Sequence, residues 1–179
     1  MLQHFAVYIT LGRMNYTIRP AQPIEAERVS SLVQQSFAAF VAPDWEATAV
    51  DTFVAETSGD CIRRLIETAA FHAVAESRGQ LVGFILLPIP SLIGLLFVSP
   101  DHLRTGIAKS LWQSARRHIE TEFKTVKTIE LNSSPYAVGA YRALGFYPIS
   151  QPFLRRGCVA TRMACWLPGE ALQSGENAA

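Results

Sequence analysis

The chain has 179 residues, 49% of them apolar, with 16 basic and 15 acidic side chains and a net charge of +1. That length supports one domain with a sizeable core, and a charge so near neutral gives no electrostatic basis for binding nucleic acid. Cys61, Cys158 and Cys165 are an odd set without metal-ligand spacing, which points to reduced thiols in a cytoplasm and to no metal site.

Residues 1–13 precede a second methionine, Met14, and lack the basic start and small-residue cleavage site of a signal peptide. They are expected to form a leader without a catalytic role, with the domain running over 14–167. Asn15–Pro20 begins a strand. From Pro23 to Phe40 the apolar residues Ile24, Val29, Leu32, Val33, Phe37 and Phe40 recur at helical steps. Ala42-Pro43-Asp44 breaks that pattern, and Asp44 is expected to cap a second helix through Ala55. Ser58-Gly59-Asp60 breaks it again, before a helix over Cys61–Ala70.

Phe71–Glu76 and Gln80–Leu87, joined through Ser77-Arg78-Gly79, read as a β-hairpin. His72 in its first strand is expected to be a packed residue. Leu81–Val98 carries no charge and approaches the length of a membrane span, but Pro88 and Pro90 divide it into two strands. The second of these, Leu92–Val98, is expected to be the central strand, and no membrane partner is expected.

After Val98 come Ser99-Pro100, the polar loop Asp101–Thr105, and Gly106. There a helix is expected to start, with Ile107, Leu111, Ala115 and Ile119 on its apolar face and Lys109, Gln113, Arg116 and Arg117 opposite. The first N–H groups of a helix have no partner within it, and the helix dipole places partial positive charge there. A glycine at that point lets an anion approach the backbone, so the turn is a candidate phosphate site, with charge added by Arg104 and Lys109. Further on, Thr128–Leu131 reads as a strand. Ser134 and Pro135 read as the N-cap and first residue of a helix over Tyr136–Leu144, ended by Gly145. A last strand over Gly157–Trp166 carries Val159, Thr161, Met163 and Cys165 on alternate positions, and residues 168–179 are expected to be a frayed tail.

Two of these stretches together resemble the GNAT superfamily of acyl-CoA-dependent N-acyltransferases. Val98-x-Pro100, the loop and Gly106-Ile107-Ala108 are similar to its pyrophosphate-binding motif. Ala137, Tyr141 and Gly145-Phe146 are similar to its last helix and the exit from it. Leu103 stands where the family has Gln or Arg, Arg104 where it has a small residue, and Ser134 where Asn is common.

The resemblance implies an α/β (mixed α+β) single-domain fold: a central, twisted, mixed and mostly antiparallel sheet flanked by helices. It also implies transfer of an acetyl group from acetyl-CoA, as cosubstrate, to a primary amine of a small molecule or peptide. The amine attacks directly in a ternary complex. By the same resemblance, the edge Leu96, Phe97 and Val98 pairs with the amide arm of the cosubstrate, and a backbone N–H near Phe97 or Val98 faces the thioester oxygen. The turn Leu103, Arg104, Thr105, Gly106, Ile107, Ala108 and Lys109 holds the pyrophosphate, and Ser134 either contacts the arm or caps its helix. Tyr141 becomes the general acid for the departing thiolate, since a phenol with a pKa of about 10 is protonated at neutral pH. Glu130, in the strand leading to the site, is the candidate base. Phe40, Trp45 and Phe53 could line an acceptor wall, and the protein is expected to act as a monomer or homodimer. The competing class is a non-catalytic module that binds acyl-CoA or CoA without turnover.

Overall fold

A computed structural model describes residues 15–167; the expected leader, 1–13, and tail, 168–179, lie outside the described residues. The chain runs β1 (Thr17–Arg19), α1 (Ala26–Phe40), α2 (Ala47–Glu56), α3 (Gly59–Thr68), β2 (Phe71–Ser77), β3 (Gln80–Leu87), β4 (Leu95–Val98), α4 (Ile107–Glu122), β5 (Thr128–Ser133), α5 (Val138–Ala143), β6 (Tyr147–Pro148), β7 (Phe153–Arg155) and β8 (Cys158–Trp166). This is the mixed α/β architecture expected of the sequence.

The strands form two half-sheets, both antiparallel. The first has the order β1-β2-β3-β4 and the second β5-β8-β6, with β7 folded back on β8. The hairpin between β2 and β3 turns through Arg78 and Gly79, both at positive φ (50° and 79°), the backbone shape that matches strand twist. Arg19 ties β1 to its surroundings. Its guanidinium donates to Glu76 on β2 and, through two nitrogens at 2.8 and 2.7 Å, to Glu25 just ahead of α1. These bonds, opposed by burial, hold the Glu25 carboxyl below the usual carboxylate range.

α4 covers one face. Ile107, Leu111, Ala115 and Ile119 are buried, as the four-residue spacing predicts, against Ala75, Ile85, Ile129, Leu131 and Met163. Burying each large side chain contributes about 1.5–3 kcal/mol. The other face of the first half-sheet packs Val74, Phe84 and Leu86 against Val29, Val33 and Ile62 of α1 and α3. α4 approaches β3 closely because Gly83 has no side chain: a Cβ there would lie 2.6 Å from Ile107 Cγ2.

Four details differ from the sequence expectations. Asp44 does not cap α2; it ends a 3-10 turn (Ala42–Asp44), and Glu46 is the N-cap residue. Trp45 is extended there, with its ring edge-on to Phe37 and Phe53 at 5.1 and 5.9 Å, so tertiary packing displaces the helix start. β4 begins at Leu95, not Leu92, because Ile89–Leu92 is taken up by a turn around Pro90. The Ser134 hydroxyl makes no cap bond; the chain passes through a 3-10 turn, Pro135–Ala137, before the short α5. β6 and β7 were not anticipated.

Candidate active site

The two half-sheets meet at one point. The Ile93 N–H donates to Glu130 O (2.9 Å) and the Glu130 N–H to Ser91 O (2.8 Å), a parallel contact. Beyond it β4 pairs only with β3 among the described residues, so β4 and β5 diverge. The Ser99 N–H donates to Val82 O, and strand alternation turns the Phe97 backbone toward β3 as well. Leu96 and Val98 therefore present their N–H and C=O groups to the gap. One of these is already engaged, since the Ser36 hydroxyl of α1 donates to Val98 O at 2.9 Å.

From the open end of β4 the chain enters a tight turn. Pro100–His102 is one turn of 3-10 helix, and the Thr105 hydroxyl donates back to His102 O at 2.6 Å. Arg104 and Gly106 both have positive φ, 60° and 87°. Gly106 is the N-cap residue of α4, and its carbonyl accepts the Ser110 N–H, the first bond of the helix. The N–H groups of Ile107, Ala108 and Lys109 thus lack intrahelical partners at the positive end of a sixteen-residue helix. Leu103, Arg104, Thr105, Gly106 and Lys109 are exposed, whereas Ile107 is buried under Gly83. A buried anchor beside exposed donors suits an anion such as a pyrophosphate.

α5 carries Tyr141. Its ring stands edge-on to Phe146 (5.8 Å), which contacts Trp112 of α4, and the Trp112 indole N–H donates to Leu144 O at 3.1 Å. Tyr141 shares the α4-side core with Leu96 and Val98, and burial pushes its phenol pKa upward. The hydroxyl has no hydrogen-bond partner among the described residues. Gly145, at φ 93°, turns the chain out of α5. Ser134 lies at the start of this segment, and its carbonyl accepts both the Ala137 N–H and the Ser133 hydroxyl.

Glu130 stands apart. Ile129 and Leu131 point into the α4-side core, so Glu130 projects from the opposite face, half-exposed, with Arg162 Nε 3.8 Å away. Tyr141 and Glu130 thus lie on opposite faces of the sheet. His72 is remote from the turn. Its imidazole pKa is lowered by burial and by His118, which fits a packed residue.

The helical wall carries more aromatic groups than expected. Phe53 stacks on Phe37 (4.0 Å) and reaches Phe97 of β4 (6.0 Å), and Phe40 stacks on Tyr136 (5.0 Å, 10° between planes). The β7–β8 hairpin also contributes, through the Glu46 N–H bonded to Gly157 O at 3.1 Å. Its signal in the sequence is Arg156-Gly157, a two-residue turn with both φ positive (48° and 77°); the last strand, expected from Gly157, starts at Cys158. Burial and Glu46 push the Cys158 thiol pKa up, with Arg155 opposing, so no thiolate is favoured there.

Residues 41–167 match the family model described as Acetyltransferase (GNAT) domain. The chain belongs to the GNAT acetyltransferase family. Solved GNAT structures share the fold at low identity. A GCN5-related N-acetyltransferase from Rhodopseudomonas palustris superposes with a TM-score of 0.75 at 17% identity, covering 88% of this chain and 99% of that one. The PaiA N-acetyltransferase of Thermoplasma acidophilum, solved with coenzyme A, has a TM-score of 0.73 at 17% identity, covering 86% and 100%. A curated relative, a UPF0039 protein of Schizosaccharomyces pombe, is 35% identical over 65 residues, which is 36% of this chain and 43% of that protein. In this GNAT domain the described residues include no group of three or more potential metal ligands and no helix long and apolar enough to cross a membrane.

Proposed function

We propose that this GNAT domain transfers an acetyl group from acetyl-CoA to a primary amine by direct attack in a ternary complex. The observation that carries the reading is the continuity of the open β4 edge with the glycine turn at the start of α4. Backbone donors from Gly106 to Lys109 would hold the pyrophosphate. Leu96 and Val98 would pair with the amide arm as an added strand does. The Val98 N–H, on the open side, is the better-placed donor for the thioester oxygen than Phe97, whose backbone serves β3. A fixed donor at that oxygen stabilises the charge that develops as the amine adds.

The neutral amine nitrogen forms a bond to the thioester carbon, the C–S bond breaks, and the proton lost by nitrogen balances the one gained by sulfur. Tyr141 serves as the acid. Its raised pKa keeps the phenol protonated, and a thiolate released in the same dry layer is itself a stronger base than in water. Glu130 could accept the amine proton through water, but its position near Arg162 favours an ion-paired role. That pairing also supports the second reading, CoA binding without turnover. The three free thiols fit a reducing compartment, and we place the enzyme in the cytoplasm.

Calorimetry with CoA and acetyl-CoA, followed by thiol-release assays over polyamines, aminoglycosides, amino acids and peptides, separates the readings. Binding together with turnover on at least one amine is expected. Binding with no turnover on any of them would favour the module.

A further inference from the structure

On the helical side of the molecule lies a cleft of about 570 Å³, bounded by α2 and by the tip of the β7–β8 hairpin. That size suits a small molecule rather than a folded partner. Its walls carry opposite charge. α2 contributes Glu56 and its N-cap residue Glu46, and the hairpin contributes Arg155 and Arg156. The hairpin meets α2 through the bond from Glu46 N–H to Gly157 O, yet none of these four side chains forms an ion pair within the described residues. In the same wall the Trp45 indole N–H is a buried donor without a partner. Phe53 lines the cleft and its ring centroid lies 6.0 Å from that of Phe97 on β4, so this ring links the cleft to the strand proposed to hold the acyl arm.

A nucleophilic amine must be neutral, and a carboxylate beside it would stabilise the protonated form instead. The groups facing Glu46 and Glu56 are therefore not the reacting nitrogen. We propose that the acceptor is a basic amino acid or a very short basic peptide carrying two amines and a carboxylate. Its carboxylate lies against Arg155 and Arg156, one ammonium lies against Glu46 and Glu56, and the second amine reaches past Phe53 to the thioester. A guanidinium pair is suited to a carboxylate, and an ammonium gains from the adjoining Trp45 and Phe53 rings as well as from the acids. This assignment rests on the acetyl-transfer reading above and adds the acceptor class to it.

The test compares L-lysine with cadaverine, which has the same two amines and no carboxylate. Thiol release should show kcat/KM at least about tenfold higher for lysine, a difference that one charge-assisted contact supplies. In the Arg155→Ala/Arg156→Ala variant that preference should fall about tenfold, and Glu56→Gln should raise KM for both probes. Cadaverine equal to lysine in the wild type, or a preference unmoved in the double variant, overturns the proposal and leaves acetyl transfer intact. Ligand-observed NMR with lysine in the presence of CoA reads the cleft without turnover. Lysine bound by the wild type, lost in the double variant and never acetylated would uphold the cleft as a binding site while overturning its role as the acceptor site. Absence of both lysine binding and lysine transfer would overturn the acceptor assignment alone, since acetyl transfer itself is judged on the wider amine panel.

Discussion

The two sides of the gap beside β4 are built from different materials. On the proposed cosubstrate side the groups offered are main-chain: N–H groups at the start of α4 and the outward edge of β4. On the proposed acceptor side they are side chains, a set of stacked rings and four charged groups drawn from α2 with its N-cap residue and from the β7–β8 hairpin. Backbone donors keep their chemistry whatever residue carries them, so the proposed cosubstrate side is expected to tolerate Leu103 in place of Gln or Arg. On the proposed acceptor side recognition would rest on side chains, so substitutions there are expected to change the substrate.

The largest expected effect tests the backbone side. Gly106→Glu should remove measurable CoA binding, since it sets a carboxylate at the anion site. Because φ at Gly106 is 87°, the substitution also strains the turn, so Gly106→Ala is the control. Calorimetry on folded protein should show the Ala variant weakened and the Glu variant silent. Unchanged affinity in the Glu variant would remove the anion site.

The next effect is on turnover. Tyr141→Phe keeps the ring against Phe146 and deletes the proton, so turnover should fall by about 10²–10⁴-fold with little change in CoA affinity. Full activity would reduce Tyr141 to a packing residue. A matching loss of melting temperature would make the hydroxyl structural.

Much of the cosubstrate side was legible in the sequence. The four-residue apolar spacing of α4 and a glycine ahead of it specify a helix start whatever the tertiary context. The acceptor side was harder because its parts are short and distant in sequence. β6 and β7 have two and three residues, too few for an alternation signal, and their pairing to β8 is decided by tertiary contact. Trp45 moved the start of α2 by joining the Phe37 and Phe53 rings, a case of packing outweighing a local capping preference. Alternation already sets Glu130 opposite Ile129 and Leu131, whereas the placing of Tyr141 on the other face of the sheet became plain only with the half-sheets in place.

A smaller effect concerns the scaffold common to both sides. The Glu25 carboxyl is held low by Arg19, so its contribution is present above the unfolded pKa, about 4.3, and is lost as pH falls through the folded value. Glu25→Gln should cost about 1–3 kcal/mol at neutral pH, and the gap to wild type should close in acid. Melting curves across pH 2–7, taken as an order-of-magnitude range spanning these carboxylate values, would show it. A gap constant in pH would mean that the ion pair contributes nothing. The smallest effect belongs to Lys109→Ala. With the N–H groups carrying the anion, loss of one exposed ammonium should weaken CoA binding only a few-fold and mainly at low salt. A hundredfold loss would show that side-chain charge dominates this side too.

The single meeting point of the half-sheets also has a consequence for how the chain assembles. β2 with β3 and β3 with β4 pair as strands adjacent in the chain, so these pairings close short loops. β5 must find β8, aligning Thr128 with Trp166 across the whole of α5 and the hairpin. Loop-closure entropy makes the second step the slower one. Pulse-labelled amide exchange during refolding should therefore protect β2 and β3 before β5 and β8. The divergence that exposes the β4 edge does not exist until the second half arrives, so ligand competence should lag the first protected amides and appear together with the last.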